Sequence, residues 1–194
     1  NNQWTDYLQR PIGVYDSEGV DIIGNQISGF GYYGIYCSQA QVDIDTGTFE
    51  EGGAFTYDYD TYIDDVFQGT SSNAEIGYAV YGYNCSASLE QSTFTDLAGS
   101  ALRSRTYGTD DITELKELEI NGTGLHESAT YSALYFYVSS GSNDVRVENV
   151  DISNVQVGNG LELLSSSEPL RVDVRRMSVD QSADEGIYLY GEGV

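Results

Sequence analysis

Apolar residues in this chain recur in two short phrases that repeat from one end to the other. The first is a small residue, an aliphatic or aromatic residue, then often Tyr: Gly13-Val14-Tyr15, Gly34-Ile35-Tyr36, Ala54-Phe55-Thr56, Ala79-Val80-Tyr81, Ala101-Leu102-Arg103, Ala133-Leu134-Tyr135, Gly160-Leu161-Glu162 and Gly186-Ile187-Tyr188. The second places apolar residues two apart and a third five further on, as in Val20, Ile22, Ile27; Val42, Ile44, Phe49; Ala87, Leu89, Phe94; Thr113, Leu115, Ile120; Val145, Val147, Ile152; and Val172, Val174, Val179. A looser copy falls at Thr61, Ile63 and Phe67. The spacing within the phrases is kept while the segments between them vary, which is how stacked repeats behave: neighbours fix the strands, and loops on the outside are free to grow.

Strands of three to five residues, no hairpin dipeptides at the breaks and a repeat length in the low twenties predict an all-β parallel β-solenoid of about eight coils, three short strands to each. Alternation sends Val14, Ile35, Phe55, Val80, Leu102, Leu134, Leu161 and Ile187 inward and their successors outward. An antiparallel sandwich is the rival fold, and its hairpin signals are missing.

The phrases VDIIGNQISG (Val20 to Gly29) and VRVENVDISN (Val145 to Asn154) resemble the repeat of right-handed parallel β-helix proteins, the pectate-lyase-like superfold. The resemblance spans residues 12 to 190 and implies a right-handed single-stranded β-helix as one domain over residues 1 to 194. It does not imply one function, since polysaccharide lyases and hydrolases, tailspikes and adhesins share the scaffold. Residues 1 to 11, with Trp4, Tyr7 and Leu8, are expected to cap or lead into the first coil. Residues 186 to 194 begin a coil they do not finish, so a longer parent chain or end-to-end stacking is expected.

Composition narrows the partners. With 31 acidic and 8 basic residues the formal charge is -23, which repels nucleic acid and anionic membranes. No apolar run approaches the roughly 20 residues of a membrane helix. Scarce Lys with abundant Asp and 17 Tyr gives the chain an extracellular or cell-surface cast, and Asn84 and Asn121 fit the glycosylation pattern of a eukaryotic secreted protein.

Register turns the repeat into candidate surfaces. The outward column after the first-strand aliphatic is Tyr15, Tyr36, Thr56, Tyr81, Arg103, Tyr135, Glu162 and Tyr188, beside a column of Gly and Ala expected to floor a shallow groove. Rings with a polar tip suit sugars or a protein partner, while Tyr stacking also simply stabilises a sheet face. The next strand presents Asp21, Asp43, Tyr62, Ser88, Glu114, Arg146 and Asp173. The cluster Asp58, Asp60, Asp64 and Asp65 has the oxygen donors calcium uses, in a spacing that matches neither an EF-hand loop nor the glycine-rich nonapeptide repeat; a solvated acidic loop is the alternative. No cofactor is required.

Three functions remain open. The first is a non-enzymatic module binding a polysaccharide or protein through Tyr15, Tyr36, Tyr81, Arg103, Tyr135, Glu162 and Tyr188. The second is a polysaccharide lyase or glycoside hydrolase: enzymes of the resembled superfold set carboxylates beside a basic residue, and the nearest match is Arg103, Arg105, Tyr107, Asp110 and Asp111 with His126 and Glu127. No carboxylate pair here has the fixed separation glycoside hydrolysis needs. The third is a structural stalk. Cys37 and Cys85, counted two coils apart, are expected not to bond to one another, with Cys37 a small buried apolar side chain.

Overall fold

A computed structural model describes residues 3–5, 11–50, 77–124, 132–166 and 170–191. The chain is all-β, with strands β1 (Gln3–Thr5), β2 (Ile12–Tyr15), β3 (Val20–Ile23), β4 (Gln26–Ser28), β5 (Tyr33–Asp45), β6 (Thr48–Glu50), β7 (Tyr78–Glu90), β8 (Thr93–Thr95), β9 (Leu102–Thr123), β10 (Leu134–Val155), β11 (Leu161–Ser165), β12 (Leu170–Ser182) and β13 (Ile187–Gly191). Every pairing among them is parallel, and the sheet is open, as in a β-solenoid.

The apolar phrases are the stacking columns. Ile35, Val80, Leu102, Leu134, Leu161 and Ile187 pair in register. So do Ile22, Ile44, Leu89, Leu115, Val147 and Val174, and, on the third side, Ile27, Phe49, Phe94, Ile120, Ile152 and Val179. Phe49 and Phe94 lie face to face with ring centres 5.0 Å apart, and both are sealed from solvent. Each column is a continuous apolar stack because identical register repeats the same side-chain direction at every rung.

The five-residue step inside the second phrase has a backbone cause. Two residues after the last inward side chain of the second strand the chain adopts a left-handed conformation, at Gly24, Thr46, Gln91, Glu117, Asn149 and Arg176, with φ between 49 and 64°. The next corner repeats the device at Gly29, Asp96, Gly122, Asn154 and Gln181. A single left-handed residue turns the strand without a hairpin, and several of these positions carry the Gly, Asn or Asp that tolerate it best.

Of the small residues of the first phrase, Gly34, Ala79, Ala101, Ala133 and Gly160 are buried and do not floor an outer groove, whereas Gly13, level with Tyr36, is exposed on the outer face. Ala79, Ala101 and Ala133 are fully buried, because the chain bends into the core just before the first strand. A Cβ on Gly160 would stand 2.6 Å from Val179 Cγ1 and 2.7 Å from the Gly186 carbonyl oxygen. These positions are small because two sides of the solenoid close on them.

Two expectations fail for one reason. Strand β5 pairs directly with β7, and β6 with β8, so no rung built from Ala54-Phe55-Thr56 or from Thr61, Ile63 and Phe67 lies between them. One of the eight expected rungs is therefore absent from the stack, and residues 51–76 lie outside the described residues. With no rung between, Cys37 and Cys85 are neighbours and form a disulfide, their Cα atoms 6.1 Å apart. The in-register partner of Cys37 is Gly82; a Cβ there would already lie 3.5 Å from that of Cys85, so its missing side chain leaves the space the bridge fills. Strand β1, the expected cap, pairs with β4 as one more third-side strand, and Tyr7 and Leu8 lie outside the described residues.

The bridge spans 48 residues of sequence and ties together the two rungs that the 51–76 segment separates in the chain. Closing a loop of that size restricts the unfolded chain, so reduction is expected to lower the free energy of unfolding by about 2–4 kcal/mol. Urea denaturation with and without dithiothreitol measures it, with Cys37→Ala/Cys85→Ala as a variant that reductant should not affect. A thiol titration in denaturant without reductant should find no free thiol.

Candidate functional site

The outer face of the first side carries two adjacent outward columns. One is Gly13, Tyr36, Tyr81, Arg103, Tyr135, Glu162 and Tyr188; the other is Tyr15, Ser38, Tyr83, Arg105, Tyr137, Leu164 and Tyr190. Tyr15 therefore sits two residues from its expected place, level with Ser38, although its ring still lies 5.4 Å from that of Tyr36. The shift arises because β2 pairs Gly13, not Tyr15, with Tyr36. Thr56, expected between Tyr36 and Tyr81, lies outside the described residues.

At its centre the face is a two-by-three array. Tyr81, Arg103 and Tyr135 stand one above another, and Tyr83, Arg105 and Tyr137 stand beside them, contributed by the segments Tyr81-Gly82-Tyr83, Arg103-Ser104-Arg105 and Tyr135-Phe136-Tyr137. The middle residue of each triplet faces inward, so alternation alone brings all six side chains to one surface. The Arg103 guanidinium lies over the Tyr135 ring, 4.2 Å from its centre, and 5.3 Å from that of Tyr78. Such cation–π contacts hold the charge in place while leaving the N–H edge available.

Flanking rings extend the array. Tyr36 and Tyr81 are stacked at 5.7 Å, and Tyr33 packs within 5.4 Å of Tyr36 and 5.0 Å of Tyr81. On the other side Tyr107 stacks on Tyr83 at 5.5 Å and leans on Tyr137 at 5.7 Å, enclosing Arg105. Burial raises the pKa of the Tyr81 and Tyr135 phenols, against the opposing pull of Arg105 and Arg103, so both remain protonated at neutral pH. For Arg105 burial disfavours the charge, but the surrounding phenols Tyr81, Tyr107, Tyr135 and Tyr78 outweigh it and the pKa is raised.

The other candidate residues are dispersed. Glu162 is tied to the Ser132 hydroxyl and lies 3.4 Å from Asn159 Nδ2. Asp110 is exposed and accepts from Ser142 at 2.8 Å. Asp111 turns into the core, 6% exposed, where Thr106 and Thr109 donate to it at 2.7 and 3.2 Å and Asn143 in turn donates to Thr106. The expected grouping of Asp111 with Arg103 and Arg105 is therefore not formed, because Asp111 occupies an inward position at the corner between two strands. His126, Glu127, Asp58, Asp60, Asp64 and Asp65 lie outside the described residues. Among the described residues no three His, Cys, Asp or Glu side chains are grouped to hold a metal.

The second side is chemically different. Asp21, Asp43, Ser88, Glu114, Arg146 and Asp173 form its outward column, with Asp43 level with Ser88 and Tyr62 outside the described residues. A cleft of about 370 Å³ on this side is lined by Glu90, Glu114, Lys116, Arg146, Asp173 and Arg175, whose charges pair off as Lys116–Glu90, Arg146–Glu114 and Arg175–Asp173. Mutually neutralised surface pairs offer a ligand little. The small–aliphatic–Tyr phrase marks only the first outward column; the sequence signal of the second is the recurrence of Tyr-x-Tyr and Arg-x-Arg at Tyr81-Gly82-Tyr83, Arg103-Ser104-Arg105 and Tyr135-Phe136-Tyr137.

Burial raises the pKa of Asp111, and the Thr106 and Thr109 hydroxyls only partly offset it. A carboxyl with a raised folded pKa contributes stability below its unfolded pKa of about 3.9, and that contribution is lost as pH rises through the folded value. Asp111→Asn is thus expected to gain stability relative to the parent as pH increases from about 4, then level off; urea denaturation of both proteins across pH 4 to 8 checks it, and a constant difference would contradict it. Compared with family models, with curated proteins and with solved structures, the chain matches none.

Proposed function

We propose that the chain is a right-handed, three-sided β-helix module, extracellular or at a cell surface, that binds glycans through the aromatic face of its first side. The right-handed sense follows the strong preference of parallel crossover connections. The observation that carries the reading is the array itself: Tyr36, Tyr81, Tyr135, Tyr83 and Tyr137 present rings beside two guanidinium groups on one surface. Sugar rings stack their C–H faces on such side chains, and the protonated phenols and N–H edges serve the hydroxyls. An oxidising compartment is supported by the Cys37–Cys85 disulfide.

A second reading, a stalk or fibre segment, draws on one observation. At the last rungs Val174, Ile187 and Leu189 are 38, 48 and 55% exposed, and with Leu161, Leu163 and Val172 they line an apolar recess of about 290 Å³. Among the described residues β12 and β13 are paired along one edge each, and such parallel edges with apolar inner rows favour further coils or end-on association. The polysaccharide-degrading alternative lacks support from Asp111, which is committed to the core.

A glycan array probed with the parent protein and with Tyr36→Ala/Tyr81→Ala, with calcium and with chelator, tests the binding reading. Loss of the stacked pair is expected to weaken binding about tenfold or more while leaving the melting curve cooperative. A parent protein that binds no glycan under either condition defeats the reading and leaves the stalk ahead.

A further inference from the structure

The charges of the described basic residues are almost all accounted for. Lys116, Arg146, Arg171, Arg175 and Arg176 pair with Glu90, Glu114, Asp144, Asp173 and Glu148. Among the described residues only Arg103 and Arg105 have no carboxylate partner, in a protein of formal charge -23. The carboxylates nearest along the chain or column are engaged elsewhere: Glu162 with Ser132 and Asn159, Asp110 with Ser142, Asp111 with Thr106 and Thr109. The Nε of Arg105 is buried without a hydrogen-bond partner.

Two unneutralised guanidinium groups on one strand, held between tyrosines, have a physical consequence. A guanidinium presents a rigid fork of donors that matches a carboxylate, and such charge-assisted bonds are the strong ones. The two groups are two residues apart on an extended strand, about 7 Å, so they serve a single acidic group and its neighbourhood rather than a long run of charges. Beyond about 8 Å at physiological salt the field is set by the rest of the molecule, which is strongly acidic and repels a polyanion. The local chemistry attracts an anion and the global charge excludes many.

We propose that Arg103 and Arg105 form an anion subsite within the aromatic face, and that the preferred ligand is a largely neutral oligosaccharide bearing one carboxylate, such as a terminal uronic acid. The ring of that sugar stacks on Tyr81, Tyr135 or Tyr137 while its carboxylate takes the guanidinium donors. The inference rests on the glycan-binding reading above and adds to it the charge of the ligand.

The test is a paired array in chelator, in which each neutral oligosaccharide is printed beside its uronate-terminated analogue and beside a poly-uronate, followed by titration calorimetry on the best pair. The parent protein is expected to bind the mono-uronate about tenfold more tightly than its neutral analogue. Arg103→Gln/Arg105→Gln is expected to abolish that preference, so that the mono-uronate and its neutral analogue bind equally, with the neutral affinity itself lowered because guanidinium N–H edges that serve sugar hydroxyls are lost. If the double variant fails to fold, Arg105→Lys, which keeps the charge and loses the fork, should retain binding with a smaller preference. Equal binding of the pair by the parent protein overturns the anion subsite and leaves the glycan-binding reading intact; no binding of any probe overturns both. A preference that survives in the Gln variant places the anion elsewhere, and poly-uronate binding more tightly than mono-uronate contradicts the single-charge ligand.

Discussion

Parallel, in-register backbone pairing is the constraint from which the rest of this protein follows. Rungs stack about 4.8 Å apart, and register fixes that a side chain inside at one rung has its counterpart inside at the next. A column is then all core or all surface, and apolar columns such as Ile22, Ile44, Leu89, Leu115, Val147 and Val174 extend through the stack. The same rule acts on the outside. It assembles Tyr81, Arg103 and Tyr135 from residues 54 positions apart in sequence into one short column. Neither core nor surface array needs a specific long-range contact to be specified separately.

Corners limit what the rule permits. After the second- and third-side strands a left-handed residue stands two positions beyond the last inward side chain, and Ala79, Ala101 and Ala133 before the first-side strands are buried where two sides meet. Those two requirements account for the invariant spacing of the apolar phrases. They also explain polar residues in the core: Asp111 and Asn143 share a register position at a corner, where the Thr106 and Thr109 hydroxyls and the Asn143 amide form a short internal chain. The strands on either side of residues 51–76 pair directly with one another, β5 with β7 and β6 with β8, although the sequence between them carries the local pattern of the repeat.

Charge is distributed by side. On the second side Lys116–Glu90 and Arg146–Glu114 join neighbouring rungs by modest surface attractions and Arg175 pairs with Asp173 on its own strand, while Asp21 and Asp43 stand level with one another in the same outward column. On the first side the two arginines are surrounded by phenol rings and carry no counter-charge among the described residues. A molecule with a formal charge of -23 thus keeps a small positive region, and its position within an aromatic surface gives that region its chemical interest.

The sequence by itself determined the repeat, the strand character, the inward columns and most of the first outward column, because these depend on periodicity that local residues carry. Ile35, Val80, Leu102, Leu134, Leu161 and Ile187 were legible as one stack for that reason. Which repeats are neighbours was decided only in three dimensions. Ala54-Phe55-Thr56 has the local pattern of a rung, and nothing in it reveals that β5 bonds directly to β7. From that single pairing follow the disulfide of Cys37 with Cys85 across the space left by Gly82, and the adjacency of Tyr36 with Tyr81. The pairing of Gly13 with Tyr36, which moves Tyr15 into the second column, was equally hidden, since a shift of two residues preserves the alternation of inside and outside.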